Sequence, residues 1–265
     1  MTGHDDSSTR SWDAAADDWV AHADASDYQN LFLHPRLLAL VGEVSGRRVL
    51  DLGCGEGACS RALARRGARV TAIDGSARLI EVARTRAADA GLEIDCVCAN
   101  ASALTGLGSG AFDLVVASMV MMNVEDYDGA IREAYRVLAP GGALCMSITH
   151  PCFSAPVSDW VGGKGRVAQH FAVDRYFERI AWNDRIASTF RTPTLRRHRP
   201  LEDYMKGAID AGFALRVFQE PMATGDDLRA SARFEPMTRV PYFLFMRWGK
   251  ASPADPEGAA LRTQT

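Results

Sequence analysis

The fold of this 265-residue chain is decided by the stretch Val49-Leu50-Asp51-Leu52-Gly53-Cys54-Gly55-Glu56-Gly57. An apolar run with one acidic residue predicts a buried strand, the alternating glycines predict a tight turn, and the residues that follow favour a helix. Glycine permits positive φ angles and lets a ligand lie against bare backbone. We expect the amides of this turn, at the positive end of the next helix, to face a polar or anionic ligand group.

The spacing of these glycines separates three kinds of nucleotide site. A dinucleotide site needs G-x-G-x-x-G, and this turn has G-x-G-x-G. A P-loop needs Gly-Lys-Ser/Thr after the turn, and the sequence has none there. The pattern D-x-G-x-G-x-G, which begins at Asp51, instead resembles the first motif of class I S-adenosylmethionine-dependent methyltransferases. The resemblance implies that Asp51 and the glycine backbone hold the amino-acid end of that cofactor.

Length and composition limit the class of protein. The length suits one large α/β domain with an added segment, and a net charge of −3 provides no field for broad attraction to nucleic acid or membranes. The sequence has no apolar run of about 18 residues, and its polar, acidic N-terminus differs from a signal peptide. The cysteines form no metal-ligand pattern, and we expect them to be buried in a protein of the reducing cytoplasm.

The N-terminal part of the chain predicts a helical cap. We expect disorder over residues 1–11 and then helices over residues 12–45, where apolar residues recur at helical spacing. Helices before the first strand resemble the cap that covers the cofactor in many small-molecule methyltransferases. By that resemblance Trp19 and Tyr28 contact the methionine end of the cofactor, although simple packing within the cap explains them equally well.

An acidic residue also follows the second predicted strand, residues 69–73. Asp74 comes about 20 residues after the glycine turn, where a carboxylate holds the ribose hydroxyl pair of a nucleotide. It is followed by Gly75 and by Ser76, which can cap the next helix. Leu79 lies on the face of that helix that is expected to pack against the sheet.

The segment after the third predicted strand, residues 94–98, is expected to contact the adenine. The resembled family commonly has an Asp there, followed by a small residue, and this chain has Asn100 and Ala101. The side-chain oxygen of Asn100 can still accept from the adenine amino group, but the negative charge is lost. The amide of Ala101 or Ser102 would serve a ring nitrogen.

The segment after the fourth predicted strand, residues 112–117, lines the cofactor and the acceptor pocket in the resembled family. By that resemblance Ser118 and Met119 contact the cofactor and Met122 contacts the acceptor. Methionine also fills gaps in apolar cores, an alternative of equal weight here. The string Glu-Ala-Tyr-Arg-Val-Leu-Ala-Pro-Gly-Gly, residues 133–142, closely resembles the passage into the fifth strand of the same methyltransferases.

His150 follows the fifth predicted strand, at the sheet edge where open parallel sheets bind ligands. An acidic acceptor group can need a base, and the unperturbed histidine pKa of about 6.5 suits proton removal at neutral pH. His150 is therefore the candidate catalytic base, with His198 and Tyr28 next. A neutral amine acceptor needs no base, since alignment of the reactants then suffices. A packing role for His150 is the alternative.

Residues 154–199 are too long for a plain connection and are expected to form a mobile substrate flap. Two β-prone runs, 176–182 and 186–190, predict a hairpin around Asn183-Asp184. Aromatic residues of the flap are expected to line the acceptor pocket. The basic stretch 191–199 suits an acidic substrate group, although a solvated loop is the more common meaning of such a run.

The alternation of strands and helices through residue 149 predicts a doubly wound α/β sheet. The resemblance implies the Rossmann-like methyltransferase fold, with seven mostly parallel strands of which the last is antiparallel. One domain would occupy residues 1–250, with a cofactor-binding core at 46–150 and a C-terminal helix and strands at 200–250. Residues 251–265 are expected to be a disordered tail.

The resemblance implies transfer of a methyl group from S-adenosyl-L-methionine to an O, N or C atom of a small molecule such as a secondary metabolite. The alternative is a protein of the same fold that uses the cofactor without methyl transfer. A nicotinamide-dependent oxidoreductase is disfavoured by the glycine spacing, and a nucleic-acid methyltransferase by the lack of a basic domain. We expect a monomer or homodimer without a metal.

The predicted cofactor residues are Trp19, Tyr28, Asp51, Gly53, Cys54, Gly55, Gly57, Asp74, Gly75, Ser76, Leu79, Asn100, Ala101, Ser102, Ser118 and Met119. The predicted substrate residues are Met122, His150, Phe153, Tyr176, Trp182 and His198.

Overall fold

A seven-stranded sheet runs through the centre of the computed structural model, which describes residues 6–162 and 170–252. The strands of the described ranges are β1 (Arg48–Leu52), β2 (Arg69–Asp74), β3 (Ile94–Cys98), β4 (Phe112–Ser118), β5 (Leu138–Thr149), β6 (Val157–Val161), β7 (His170–Asp174), β8 (Ile180–Asp184), β9 (Thr194–His198), β10 (Phe213–Gln219) and β11 (Phe243–Lys250). The central sheet has the order β10-β11-β5-β4-β1-β2-β3, and β6-β7 and β8-β9 form two small sheets.

The central sheet is parallel from β3 to β5, and β11 pairs antiparallel with both β5 and β10. Strand β1 lies between β2 and β4, so the chain turns to one side of β1 for β2 and β3 and to the other side for β4 and β5. Such a switch point is where open α/β sheets bind ligands, beyond the carboxyl ends of the strands. The predicted Rossmann-like sheet with an antiparallel last strand is confirmed.

Helices cover both faces of this sheet. They are α1 (Ser7–Ala14), α2 (Ala16–Ala25), α3 (His34–Val41), α4 (Ala58–Arg65), α5 (Ala77–Asp89), α6 (Tyr127–Val137), α7 (Leu201–Asp210) and α8 (Gly225–Ala230), with a π-helical turn at Tyr28–Leu33 and 3-10 turns at Pro151–Phe153 and Ala232–Thr238. Helix α6 shows why the sequence forms them. Its Ala130, Ile131, Ala134 and Val137 recur at helical spacing, and all four are fully buried on the sheet.

The side chains of β1 alternate between two apolar cores. Val49 packs with Leu37 of α3 and Leu63 of α4, whereas Leu50 packs on the opposite face with Ile131 of α6. Each of these side chains is withdrawn from water, and full burial of one such side chain contributes roughly 1.5–3 kcal/mol. The two cores therefore hold β1 rigidly, with its carboxyl end at the switch point.

The N-terminal segment is more ordered than the predicted disorder of residues 1–11. Helix α1 already begins at Ser7, and the side chain of Asp6 caps it by accepting from the Thr9 amide at 2.7 Å. The Ser8 hydroxyl donates to the Asn123 carbonyl at 2.6 Å. That partner is 115 residues away in sequence, so local composition gave no sign of it. Residues 1–5 and 253–265 lie outside the described residues, and the predicted disordered tail stays a prediction there.

The predicted hairpin around Asn183-Asp184 is wrong. Strand β8 pairs with β9, so that Asp184 lies opposite Thr194, and the segment predicted as a second strand forms the connection between them. Its Phe190 is buried in that connection and contacts His22 of α2, with ring centroids 5.4 Å apart. The β-prone run therefore reflected a tertiary contact of Phe190 instead of strand pairing. The basic stretch predicted as a solvated loop is largely β9, and residues 163–169 of the flap lie outside the described residues.

The turn after β1 depends on a glycine that has no room for a side chain. Gly53 has a φ of +73°, and a Cβ atom there would lie 2.1 Å from Val120 Cγ2. Gly91 has a similar φ of +65°, and a Cβ atom there would have nothing within 4 Å of it. The two glycines share the left-handed backbone and differ in the space around them, which makes them a matched pair.

We expect Gly53→Ala to lower the free energy of unfolding by roughly 2–5 kcal/mol, because left-handed strain of about 1–2 kcal/mol adds to overpacking of about 1–3 kcal/mol. Gly91→Ala should show the strain alone, about 1–2 kcal/mol. Urea unfolding of the two variants measures the difference. Equal losses would mean that Val120 moves aside without cost and that the turn is not sterically restricted.

Candidate functional site

A cleft opens at the carboxyl ends of β1, β2, β3 and β4, with about 1020 Å³ of empty volume, part of it open to solvent. Thirteen of the predicted cofactor residues line it: Trp19, Asp51, Gly53, Cys54, Gly55, Asp74, Gly75, Ser76, Leu79, Asn100, Ala101, Ser118 and Met119. The residues come from four strand ends and from the N-terminal helices, so the cleft collects the predicted positions in one place.

Asp51 is fully buried at the base of the cleft. One carboxylate oxygen, Oδ2, accepts from the Ser60 hydroxyl of α4, and the other, Oδ1, has no hydrogen-bond partner among the described residues. Burial raises the pKa of Asp51 to about 7, and the nearby Glu56 and Asp74 carboxylates act in the same direction. A buried carboxylate with an unused oxygen is suited to a ligand that brings a hydrogen-bond donor or a positive charge.

Three amides of the glycine turn do not face the ligand space as predicted. Gly53 and Cys54 both donate to the Ile73 carbonyl, at 2.7 and 2.8 Å, and Gly55 donates to Asp74 Oδ2 at 2.9 Å. These amides attach the turn to the end of β2. The glycines still serve the cleft, since their bare Cα atoms form its wall and a Cβ on Gly55 would lie 3.1 Å from Trp19 Nε1.

Asp74 lies beside Asp51 at the end of β2. Its Oδ1 accepts from the Ser76 amide at 2.9 Å, and its Oδ2 accepts from Gly55. Burial raises the pKa of Asp74, while these two amide bonds act against the rise. Each carboxylate oxygen has a second lone pair. The Asp74 carboxylate, held in place by these two amides, can therefore still accept hydrogen bonds from a pair of hydroxyls in the cleft.

The N-terminal helices form a roof over the cleft. Trp19 Nε1 donates to Glu56 Oε2 at 2.9 Å, and the Trp12 and Trp19 rings meet edge to face at 5.5 Å. On the other side, Ser76 Oγ donates to Asp13 Oδ1 at 2.6 Å. The roof therefore contacts the glycine turn before α4 and the N-terminal cap of α5. Sequence reasoning predicted a cap but did not assign Trp12 to the site.

The roof is also connected to the flap segment. The carboxylate of Asp18 is buried and accepts from the amides of Arg191 and Thr192, each at 2.8 Å. Arg197 of β9 donates to Ser7 Oγ at 2.7 Å and to Glu125 Oε2 at 2.9 Å. Two segments of the chain that are distant in sequence thus share one surface above the cleft.

Gln29 and His34 line the cleft and were missed at the sequence level. Burial lowers the pKa of His34, and the negative charge of Glu56 acts against that change. Both residues lie in the helical cap, where an apolar repeat dominates and isolated polar residues give no recognisable motif. Glu56, inside the glycine motif itself, was also overlooked. Asp6, Ser8, Thr9 and Asn123 complete the polar lining that the sequence did not indicate.

Three predicted cofactor residues do not line the cleft. Tyr28 packs against Phe234, Tyr242 and Phe243, and its hydroxyl donates to the Arg233 carbonyl at 2.9 Å. This matches the packing alternative. Gly57 is the N-terminal cap residue of α4 and has a left-handed φ of +83°. Ser102 uses its amide and hydroxyl to bind Asn100.

Four predicted substrate residues cluster next to one another, apart from the residues that line the cleft. Tyr176 contacts His198, with ring centroids 5.8 Å apart, and His150 contacts Phe153 at 5.1 Å. Cys152 Sγ lies 3.7 Å from the Tyr176 hydroxyl and joins the two pairs. Two further predicted substrate residues lie elsewhere: Trp182 is under Arg196, and Met122 packs on the core.

His150 is buried, with both ring nitrogens engaged. Nδ1 accepts from the Cys152 amide at 3.2 Å, and Nε2 lies 2.6 Å from Glu220 Oε1. Since the amide can only donate, Nδ1 is the acceptor. Nε2 therefore carries the hydrogen and donates a hydrogen bond to Glu220. Burial lowers the pKa of His150, and the Glu220 bond acts in the opposite direction. This geometry matches the packing alternative, and the base role stays a prediction.

The described residues include no helix that is long and apolar enough to cross a bilayer. Within the same ranges no group of three or more His, Cys, Asp or Glu could hold a metal ion. All six cysteines are free, and burial raises the pKa of the two in the cleft, Cys54 and Cys59. Neither thiol is therefore an activated nucleophile.

The buried Asp51 makes stability depend on pH. Its folded pKa of about 7 exceeds the ordinary 3.8, so the folded state binds the proton more tightly. The stability that protonated Asp51 provides is thus lost as the pH rises from about 4 to about 7. Asp51→Asn removes the charge and keeps an acceptor for Ser60. The stability of the variant relative to the wild type should therefore increase between pH 5 and pH 8 by roughly 2–3 kcal/mol.

Unfolding of both proteins by denaturant at pH 5, 6, 7 and 8 measures this difference. A constant gap across the series would show that Asp51 is already ionised at pH 5 in the folded protein.

Comparison with known proteins matches much of the segment that forms the cleft to a known domain. Residues 50–146 match the family model of a methyltransferase domain. A ubiquinone biosynthesis O-methyltransferase of Xanthomonas euvesicatoria pv. vesicatoria (strain 85-10) is 36% identical over 141 residues, which are 52% of this chain and 55% of the relative. The chain thus spans about half the length of the curated relatives it matches.

Solved structures extend the likeness to most of the chain. An S-adenosylmethionine-dependent methyltransferase from Mesorhizobium loti has a TM-score of 0.70 and 26% identity, over 86% of this chain and 99% of that one. The [4+2]-cyclase SpnF has a TM-score of 0.63 and 19% identity, over 93% and 97%, and shares the fold alone. Residues 50–146 therefore match a methyltransferase domain, and the chain has the fold of S-adenosylmethionine-dependent methyltransferases.

Proposed function

We propose that this protein is an enzyme that transfers a methyl group from S-adenosyl-L-methionine to an oxygen atom of a small molecule. The observation that carries the proposal is the cleft at the switch point, where Asp51 and Asp74 lie beside a wall of bare glycine. The choice of oxygen is supported by the curated O-methyltransferase relative, which matches half of the chain. The particular acceptor is left open.

The residues of the cleft fit the cofactor group by group. The unpartnered Oδ1 of Asp51 suits the ammonium of the amino-acid end, since a buried acceptor gains most from a charged donor. Gln29 and His34 are donors in the same cleft that would hold the carboxylate. Asp74 would accept from the ribose hydroxyls, and Leu79 and Ala101 would border the adenine.

When bound, S-adenosyl-L-methionine supplies a methyl group activated by its sulfonium. The work of the chain is then to align the acceptor oxygen with that methyl group and to exclude water, and alignment alone can supply roughly 7–11 kcal/mol. Trp12 and Trp19 would close the cleft from the roof. Met119 has a φ of +56°, rare for a residue with a side chain, at the point where the chain leaves β4 beside the cleft. Strain of this kind is concentrated at functional sites.

A second candidate function keeps the cofactor and omits the methyl transfer. The structural neighbour described as a [4+2]-cyclase has the same fold, so the fold does not choose between the two. The experiment is incubation with cofactor labelled in its methyl group and a panel of phenolic and other hydroxylated metabolites. Labelled product supports the enzyme, whereas tight cofactor binding without any labelled product supports the alternative. Cytoplasmic location, the monomer or homodimer state and the flap over the acceptor stay predictions.

Asp74→Ala should weaken binding of S-adenosylhomocysteine by roughly 1.5–3 kcal/mol, the usual contribution of hydrogen bonds to a charged group. Calorimetry measures the affinity, and a melting curve checks that the variant folds, since Asp74 also accepts from Gly55 and Ser76. Unchanged affinity in a folded variant would remove Asp74 from the ribose site.

His150→Ala tests the predicted base. General base catalysis is worth about 10²–10⁴-fold, so loss of the base should slow single-turnover methyl transfer by that factor while cofactor affinity stays nearly constant. Glu220→Gln is the matched control, because it removes the charge that faces His150 and leaves the imidazole in place. If both variants keep the wild-type rate and pH profile, His150 only supports the 150–153 turn.

A further inference from the structure

The side-chain amide of Asn100 is oriented differently from what the predicted adenine contact requires. Its Oδ1 accepts from the Ser102 amide at 2.9 Å and from the Ser102 hydroxyl at 2.8 Å. The backbone amide can only donate, so the oxygen must face Ser102 and the assignment of the two amide ends is determined. Both lone pairs of Oδ1 are then occupied. Asn100 cannot also accept from an adenine amino group through this oxygen.

The other end of the same amide faces a carboxylate. Asn100 Nδ2 donates to Asp6 Oδ2 at 2.9 Å, and Asp6 lines the cleft together with Asn100, Ala101 and Leu79. Asp6 and Asn100 are separated by 94 residues in sequence. The negative charge that the strand end lacks is thus present in the same part of the cleft, on a different segment of the chain.

Several contacts hold Asp6 in this position. Its Oδ1 accepts from the Thr9 amide at 2.7 Å, as the N-terminal cap of α1. The next residues are anchored to the segment that follows β4, since Ser7 N donates to Glu125 Oε2 at 3.0 Å and Ser8 Oγ donates to the Asn123 carbonyl. The carboxylate is therefore preorganised, with one oxygen used for the cap and the other directed at the Asn100 amide in the cleft.

We propose that Asp6 is the acidic residue of the adenine site, so that helix α1 is part of the cofactor-binding machinery. Its carboxylate accepts from the exocyclic amino group. The Ala101 amide, which has no hydrogen-bond partner among the described residues, donates to a ring nitrogen. The proposal rests on the proposed function, because it needs the cofactor to lie in this cleft. It assigns selection for adenine to a residue outside the glycine and strand-end motifs.

The base of the nucleoside provides a direct test. Adenine presents a donor at its amino group, whereas hypoxanthine presents a carbonyl oxygen at the same position. A carboxylate attracts the first and repels the second, so the ratio of the two affinities reports on Asp6 specifically. The experiment is calorimetry of S-adenosylhomocysteine and S-inosylhomocysteine with the wild type and with Asp6→Asn. Asparagine also caps helices well, so α1 is expected to stay folded.

We expect the wild type to bind the adenine compound at least about tenfold more tightly than the hypoxanthine compound, and Asp6→Asn to lose most of that preference. Asp13→Asn is the matched control on the same helix. Asp13 contacts Ser76 and the Arg78 amide on the side of α5 and does not line the cleft. It should change both affinities alike and leave their ratio as it is.

The exchanged pair Asp6→Asn/Asn100→Asp provides the rescue. It keeps the hydrogen bond between the two positions with its direction reversed and returns the charge to the strand end, so the preference for adenine should return. If Asp6→Asn is folded and retains the wild-type ratio, the proposal is wrong while the proposed function stands. If the wild type binds neither compound, the proposed function is wrong, and the assignment of Asp6 to the adenine site is then wrong as well.

Discussion

The Ile73 carbonyl oxygen, at the end of β2, accepts two hydrogen bonds from consecutive amides of the glycine turn. The third amide of that turn, of Gly55, binds the carboxylate of the next residue, Asp74. Three successive amides of the turn are thereby attached to the end of the neighbouring strand. The path of the chain into α4, the position of Asp51 and the wall of the cleft all depend on this attachment, and only a backbone with left-handed glycines can follow it.

This attachment also brings two carboxylates together in a buried place. Burial raises the pKa of both Asp51 and Asp74, and the negative charge of Asp74 adds to the rise at Asp51. Such an arrangement costs stability in the protein alone. Under the proposed function, the same groups would be complementary to a ligand with an ammonium at one end and hydroxyls further along. The proposed ligand site thus lowers the stability of the protein when no ligand is bound.

The sequence predicted the central sheet and the floor of the cleft well, because both depend on local pattern. Asp51 and Asp74 follow apolar strands, and glycine spacing or strand position alone indicates their role. The residues of the roof were harder to predict from the sequence. Asp6 is held by a contact with the distant Asn100, which leaves no periodic signal, and Gln29 and His34 are isolated polar residues within an apolar repeat. The predicted hairpin of the flap was wrong for a related reason. Phe190 is buried and contacts His22 of α2, a distant segment, whereas a β-prone run of that length suggests a strand.

The connection between Asp18 and the amides of Arg191 and Thr192 has a consequence for how the chain folds. Its partners are 173 and 174 residues apart in sequence, and the Ser7 contact of Arg197 spans 190 residues. During synthesis the N-terminal helices leave the ribosome first, while the residues that anchor them come late. Contacts of such separation close large loops and form slowly. These contacts are therefore among the last of the roof to form, and the N-terminal helices gain their full set of anchors only after residues 191–197 have been made.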